Sequence, residues 1–388
     1  MRALDGRRIW FVGIGGSGLS AYAQLARAWG AEVGGWDRVA TPYLEGLDGV
    51  PVEITPAPVV REGWEVVVSS AYPDVPGRSR AAFLAELVGL RRAIVVGGAH
   101  GKGTTSAMIA FALRETGGDP AWLIGAPVPQ LGANAGAGEG WLVVEGDESD
   151  RTIFGLPAEI AVITNVELDH HSEFRSRAEL ESEFDRWAAA APHAVRDAPS
   201  FEGALALPGE HNRQNAGSAL AALELAGVER AAAEAALARF TGTGRRFEVS
   251  EVGGITIVDD YAHHPAEVAA TIAAARERFP GRPIRALFQP HLVSRTRHLA
   301  GALAAALAAA DDVIVTGIYL AREEPDPEVS GKLIVDALSD RGRLPAWMPS
   351  LDDAASYLAA RARTADVLLL LGAGDIDRIP TLLRTRLS

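Results

Sequence analysis

Alternation of apolar strands with helical stretches predicts an α/β protein of three domains, at residues 1–91, 92–243 and 244–388. Three observations carry the prediction. Two glycine-rich turns, about eighty residues apart, each lie between an apolar run and a helix. That order implies two nucleotide-like ligands in two domains, because successive backbone N–H groups and a helix N-terminus then face one anion. The third is a fresh β/α alternation that begins at Ile255, after the punctuating Thr241-Gly-Thr-Gly-Arg-Arg246. A chain of 388 residues also exceeds one ordinary core.

Composition narrows the function. Hydrophobic residues make up 48% of the chain and charged ones 22%, the profile of a soluble globular protein. A net charge of −13 argues against nonspecific nucleic-acid or anionic-membrane binding, so an anionic ligand must be held by local N–H groups, arginine and metal. Cysteine is absent, which excludes disulfides, thiolate chemistry and Cys-ligated zinc and fits a cytoplasmic protein. Arg7-Arg8 followed by Ile9-Trp-Phe-Val-Gly13 imitates a signal peptide, but the glycines from Gly13 to Gly30 break the apolar run far short of a membrane span.

Arg8–Val12 reads as a buried strand, Gly13-Ile-Gly-Gly-Ser-Gly18 as a turn and Leu19–Trp29 as a helix. Gly13, Gly15 and Gly18 satisfy G-x-G-x-x-G in a strand-turn-helix setting, and Asp37 ends the next strand. Taken alone this is a dinucleotide fingerprint, and an NAD-dependent oxidoreductase would account for it. Glu65–Val68 forms another strand and delivers Ser69 and Ser70 to its carboxyl end, where open α/β sheets bind ligands; turn or cap serines are the plainer reading. A helix over about Arg80–Leu90 closes the first domain.

The strand from Ala93 runs into Gly98, His100, Gly101 and Lys102, and a helix follows to Glu115. Of 37 basic residues only Lys102 and Lys332 are lysines, so a lysine inside a glycine turn suggests a compact ammonium reaching β- and γ-phosphates. The match to G-x-x-x-x-G-K-[ST] is incomplete. Val96 stands at the first glycine and Gly103 at the hydroxyl that touches Mg²⁺, with Thr104 or Thr105 as substitutes. The Gly/Ala/Pro-rich stretch to Gly140 receives no element. Strand Trp141–Val144 delivers Glu145-Gly-Asp-Glu-Ser-Asp150, in which Glu145 and Asp147 share a face suited to a hard cation. Strand Ile160–Ile163 ends in Thr164-Asn-Val-Glu-Leu-Asp-His-His171, which places Asp169 and His170 for a second metal or phosphate contact; adjacent His170 and His171 diverge too far to chelate together. A helix covers Ser176–Pro192, an irregular segment runs to His211-Asn-Arg-Gln-Asn215, and alanine-rich helices span Ala216–Ala226 and Glu229–Phe240.

In the last third, strand Ile255–Val258 gives Asp259-Asp-Tyr-Ala-His-His-Pro265, again polar groups at a strand end. A helix to Phe279, strand Ile284–Phe288, Gln289-Pro-His291, a helix to Ala310, and strands Asp312–Thr316 and Val367–Leu371 complete the alternation.

Together these motifs resemble the Mur ligases, and within that family the alanine-adding branch, collinearly from Val12 to Gly374. The resemblance rests on Gly13–Gly18, Ser69-Ser-Ala71, His100-Gly-Lys102, Glu145–Asp150, Thr164-Asn165 with Asp169-His170, and His211-Asn212 with Asn215. It continues through Gly244-Arg-Arg-Phe-Glu248, Asp259–Pro265, Gln289-Pro-His291 with Ser294-Arg-Thr296, and Glu323-Glu-Pro325. It implies a Rossmann-like UDP-binding domain, a shortened central P-loop-type ATP-binding domain and a Rossmann-like C-terminal domain. The implied reaction is ATP- and Mg²⁺-dependent ligation of L-alanine to UDP-N-acetylmuramate through an acyl phosphate, in peptidoglycan precursor synthesis. The implied enzyme is a cytoplasmic monomer or homodimer with no nucleic-acid partner and no membrane insertion.

By the same resemblance Gly15, Gly16, Ser17, Gly18, Asp37, Ser69 and Ser70 would hold the UDP substrate. Gly98, His100, Gly101, Lys102, Thr104 and Thr105 would hold the ATP phosphates, with Thr104, Glu145 and His170 as magnesium contacts. His211, Asn212 and Asn215 would lie near adenine, Arg246 at the γ-phosphate and Asp260 at the ribose, while His264, His291 and Arg295 would present the amino acid. Lys102, Glu145, His170, Arg246 and His264 form the implied catalytic set. Two departures mark this chain: Gly103, and a short interval between His170 and His211 where the family's central domain carries additional strands. The alternatives are a ligase that adds a preformed peptide, which would share both glycine turns, and a Mur-like nucleotide- or UDP-sugar-binding protein with weakened catalysis, which both departures would explain.

Overall fold

The computed structural model describes residues 2–148, 150–167, 173–321 and 323–387. The chain divides into two units, Met1–Ala206 with Arg213–Thr243, and Leu207–Asn212 with Gly244–Ser388. Among the described residues three sheets make up the α/β fold, two in the first unit and one in the second.

The first sheet is parallel, with strands β1 (Arg8–Val12), β2 (Glu32–Asp37), β3 (Val52–Ile54), β4 (Glu65–Val68) and β5 (Arg78–Ser79) in the order β3-β2-β1-β4-β5. The order reverses at β1, and a ligand crevice opens at such a switch point. Ile9 and Phe11 of β1 pack with helices α1 (Ser17–Ala28) and α2 (Arg80–Gly89). Trp10 and Val12, on the opposite face, pack with Trp36 and Trp64. The Trp10 and Trp36 indoles donate to the Val59 and Thr55 carbonyls, so loop backbone clads that face of the sheet.

The second sheet has the order β11-β10-β6-β9-β7-β8. Its strands are β6 (Ala93–Gly97), β7 (Ala121–Val128), β8 (Ala133–Gly136), β9 (Leu142–Glu145), β10 (Ile160–Ile163) and β11 (His193–Arg196). Helices α3 (Lys102–Glu115), α4 (Arg177–Ala190), α5 (Glu210–Leu225) and α6 (Arg230–Leu237) accompany them. The glycine-rich stretch left without an element therefore holds β7 and β8, and the segment expected to be irregular holds β11. Alanine and glycine give β8 no alternating pattern, and its place is set by antiparallel pairing with β7, where Gly136 lies under the Trp122 ring.

The third sheet has the order β12-β13-β17-β14-β15-β16. It contains β12 (Glu248–Val252), β13 (Ile255–Asp260), β14 (Ile284–Phe288), β15 (Asp312–Val315), β16 (Ala346–Trp347) and β17 (Val367–Leu371). Its helices are α7 (Pro265–Arg278), α8 (Val293–Leu307), α9 (Lys332–Ser339), α10 (Leu351–Arg361) and α11 (Ile379–Leu387). Apolar clusters fill both faces, one around Phe288 and Ile272 and one around Leu287 and Leu383. Among the described residues no helix is long and apolar enough to cross a membrane.

Candidate active site

Gly13 leaves β1 with φ +89°, and a Cβ there would stand 2.8 Å from Ser69 Cβ, so the first glycine turn and the serine loop touch. Gly13 and Ile14 N–H donate to the Trp36 carbonyl and Gly16 N–H to the Gly13 carbonyl. Gly15 N–H donates to Asp37 Oδ2 at 2.7 Å, and Arg38 N–H to Asp37 Oδ1 at 2.7 Å. Asp37 thus pins the turn through both oxygens. Ser69 Oγ accepts from Ala71 N–H, and Ser70 is exposed beside it. α1 starts at Ser17 and Gly18 with no side-chain cap, which leaves its first turn the natural place for an anion.

The second turn is built on two glycines that tolerate no Cβ. Gly98 has φ +127° with Thr164 Oγ1 2.3 Å from its Cβ position, and Gly101 has φ +80° with Asn215 Oδ1 at 2.2 Å. Asn165 closes the loop: its Oδ1 accepts from His100 N–H at 2.9 Å and its Nδ2 donates to the His100 carbonyl at 2.8 Å. The Lys102 ammonium donates to the Gly98 carbonyl at 2.6 Å and to Glu148 at 3.0 Å. Burial opposes its charge, but Glu148, with Glu145 and Asp147, outweighs burial and holds the ammonium above the ordinary lysine pKa. Burial pushes the Glu148 carboxyl up. Thr104 and Thr105 are buried in the first turns of α3. Glu145 accepts the Gly125 N–H at 2.6 Å, and its oxygens lie 3.2 and 3.3 Å from where a Gly103 Cβ would stand. Asp169, His170 and His171 lie outside the described residues.

Both turns open on one cavity of about 310 Å³. Ser17, Gly18 and Tyr22 of α1, Arg80 of α2, Lys102 of α3, and Gly125, Glu145 and Asp147 line it. Of the expected residues it brings together Ser17, Gly18, Lys102 and Glu145. Arg80, Tyr22 and Asp147 complete the wall, and Arg80 and Tyr22 were not foreseen as site residues.

In the second unit Arg246 sits between Arg245 and Phe247, whose φ values of +54° and +52° place both in the left-handed region. Non-glycine residues hold such backbone only where their surroundings over-determine it. Asp260 does so for Phe247, its Oδ2 accepting from Phe247 N–H at 2.9 Å and its Oδ1 from Ala262 N–H at 2.8 Å, while Arg245 N–H donates to Glu248 at 3.0 Å and its Nε to Asp259 at 3.1 Å. Burial pushes the Asp260 carboxyl up to about 6. Arg246 reaches Glu267 at 3.4 Å and lies over the Tyr261 ring. His264 caps α7, with its N–H donating to Glu267. Arg295 Nη1 donates to His291 Nδ1 at 3.1 Å, which fixes His291 as the tautomer with its proton on Nε2. His263, missed as a site residue, stands 5.7 Å from the His291 ring and donates from Nδ1 to the Tyr261 carbonyl. His211 and Asn212 belong to the second unit and Asn215, beside Gly101, to the first. Burial, reinforced by Arg246, lowers the His211 pKa.

A UDP-N-acetylmuramate–L-alanine ligase of Paenarthrobacter aurescens is 36% identical to the chain, over 95% of this chain and 94% of its own length. The chain belongs to the Mur ligase family. A second ligase of the same name, from a Nocardioides species, is 37% identical over 96% of this chain and 94% of its own. The Mur ligase glutamate ligase domain matches residues 245–374, from Arg245 to Gly374. The crystal structure of the UDP-N-acetylmuramate–alanine ligase of Thermotoga maritima superposes with a TM-score of 0.81 at 26% identity, over 98% of each chain. As a Mur ligase the chain has a three-domain α/β fold.

Proposed function

We propose that the protein joins L-alanine to the carboxylate of UDP-N-acetylmuramate with cleavage of ATP, an amide-forming step of peptidoglycan precursor synthesis in the cytoplasm. The observation that carries this reading is the cavity on which Ser17, Gly18 and Lys102 all open. A sugar nucleotide anchored at the first turn and ATP anchored at the second can meet there. An oxidoreductase would leave Lys102 and the acidic wall idle. The relatives named for this activity support the same conclusion.

Two transfers are needed. A substrate carboxylate oxygen attacks the γ-phosphorus, and ADP leaves with the electron pair of the broken P–O bond. The amine of alanine then attacks the acyl carbon, a proton leaves nitrogen, and phosphate departs with the C–O electron pair. Little covalent work falls to the protein, so positioning and charge stabilisation carry the rate. Residues 1–91 would hold the UDP sugar, 92–243 ATP and 244–388 the amino acid. Lys102 would exchange the Gly98 carbonyl and Glu148 for β- and γ-phosphate oxygens, within the N–H cradle of Gly98, His100 and Gly101. Glu145 and Asp147 are hard oxygen donors on the cavity wall, with Thr104 at the start of α3, and that set fits Mg²⁺. Bound Mg²⁺ would neutralise the phosphate oxygens. Arg246 would add charge at the γ-phosphate, and Arg295, steadied on His291, would take the alanine carboxylate. Asp37 and Asp260 act by holding loops, since both of their oxygens accept backbone N–H groups.

Phosphate release by the full chain with ATP, Mg²⁺, UDP-N-acetylmuramate and L-alanine, each omitted in turn, tests the reading. Release that requires the sugar nucleotide and L-alanine together is expected. Release with a preformed peptide in place of alanine, or none with any amino acid, would overturn it.

A further inference from the structure

Arg80 is the first residue of α2, directly after the cap Ser79, whose Oγ accepts the Ala82 N–H. A cation stands at the wrong end there, because a helix N-terminus already carries partial positive charge. The first turn of α2 holds no acidic residue to offset it. The side chain is three-quarters covered, and its Nε is buried without a hydrogen-bond partner among the described residues. Among the described residues its ionic partner is Asp150, with Nη2 and Oδ2 3.5 Å apart, beyond a good hydrogen bond. Guanidinium groups rarely stay this poorly matched, since five fixed donors are built for planar anions. Nη1 lies 4.0 Å from where a Gly18 Cβ would stand, so the group hangs beside the first turn of α1 on the cavity wall. Lys102, by contrast, has Glu148 and the Gly98 carbonyl for its charge. The buried Tyr22 phenol lines the same cavity.

We propose that Arg80 is a specificity-determining residue that binds the diphosphate of the UDP-linked substrate, giving up its loose pair with Asp150 for paired N–H···O bonds to the phosphates. This rests on the reading of the cavity as the sugar-nucleotide site. The uncapped start of α1 supplies the other donors to the same group, which is why a diphosphate fits better here than a lone carboxylate. Asp150 then serves as a resting counter-ion that competes with substrate.

Calorimetric titration of the full chain with UDP and with uridine tests the assignment. Arg80→Gln is expected to weaken UDP binding on the order of 10- to 100-fold while uridine stays within about twofold, the loss of a charge-assisted contact. Arg80→Lys keeps the charge without the fork and is expected to fall between the two. Asp150→Asn is expected to tighten UDP a few-fold, an effect that a merely structural arginine would not produce. Unchanged UDP affinity in Arg80→Gln, or an equal loss for uridine, would overturn the assignment and leave the sugar-nucleotide reading standing. A wild-type chain that binds UDP no better than uridine would overturn both.

Discussion

Lys102 and Glu148 form the ion pair on which the second glycine turn rests, with Glu148 about 4% exposed and Lys102 about 16%. A buried pair adds little net stability, but removing one partner strands the other charge. Lys102→Met is therefore expected to cost about 3–5 kcal/mol in urea unfolding, and Lys102→Met with Glu148→Gln to recover more than half of it. A loss under about 1 kcal/mol, or no recovery, would show that the pair is not buried as described. Titration acts on the second unit with opposing signs. Burial lowers the His263 pKa, so the unfolded chain takes up a proton first as pH falls below 6.5, and stability is lost. Asp260, raised to about 6 from 3.8, binds its proton more tightly when folded, so stability is gained as pH falls from about 6 towards 3.8. Asp260→Asn removes the gain, so its unfolding free energy should fall more steeply than the wild type's between pH 6 and 4, by up to about 1.4 kcal/mol per pH unit for one proton. Parallel curves would refute the assignment. Lys102 was legible because lysine is so rare in this arginine-rich chain. Arg80 was not, because an arginine one residue after a serine cap looks like ordinary helix surface until the cavity beside it is seen.

Strands such as β6 and β17 are apolar on both faces and announce themselves, while β8 and β12 are set by pairing that local composition does not report. β12 reads Glu-Val-Ser-Glu-Val with four exposed positions; only the Gly253-Gly254 turn, at φ +57° and +81°, marks it as half of a hairpin. The glycine turns were legible as motifs, but their distinct roles required geometry. Gly98 combines φ +127° with a Cβ position 2.3 Å from Thr164 Oγ1, whereas Gly103 lacks positive φ and its nearest neighbour is Glu145 at 3.2 Å. Gly98→Ala should therefore cost about 2 kcal/mol or more in stability and abolish binding of a fluorescent ATP analogue, by the strain of that backbone region. Gly103→Ala should fold with a loss below about 1 kcal/mol, as an added methyl that displaces only one carboxylate. Equal effects at the two positions would mean that the turn is not held rigidly by Thr164 and Asn165.

Across the whole chain the candidate groups are divided: both glycine turns lie in the first unit, and the histidine and arginine cluster in the second. A single sequence shows that these groups are present and in what order, because each ends an apolar strand. It does not show which of them meet, since Ser17 and Lys102 are far apart along the chain yet share one cavity. The division predicts separable defects. Arg295 donates to His291 and, on the proposed function, would take the alanine carboxylate, so Arg295→Met should raise the KM for L-alanine at least tenfold while the KM for UDP-N-acetylmuramate stays within about twofold, because losing that contact would act on the reactant that carries the carboxylate. Lys102→Met should instead abolish phosphate release at any alanine concentration, because alanine has nothing to attack until the acyl phosphate exists. Steady-state kinetics with each substrate varied in turn distinguishes the two. If Arg295→Met raised both KM values alike, the second unit's arginine would be organising the site as a whole rather than receiving the amino acid.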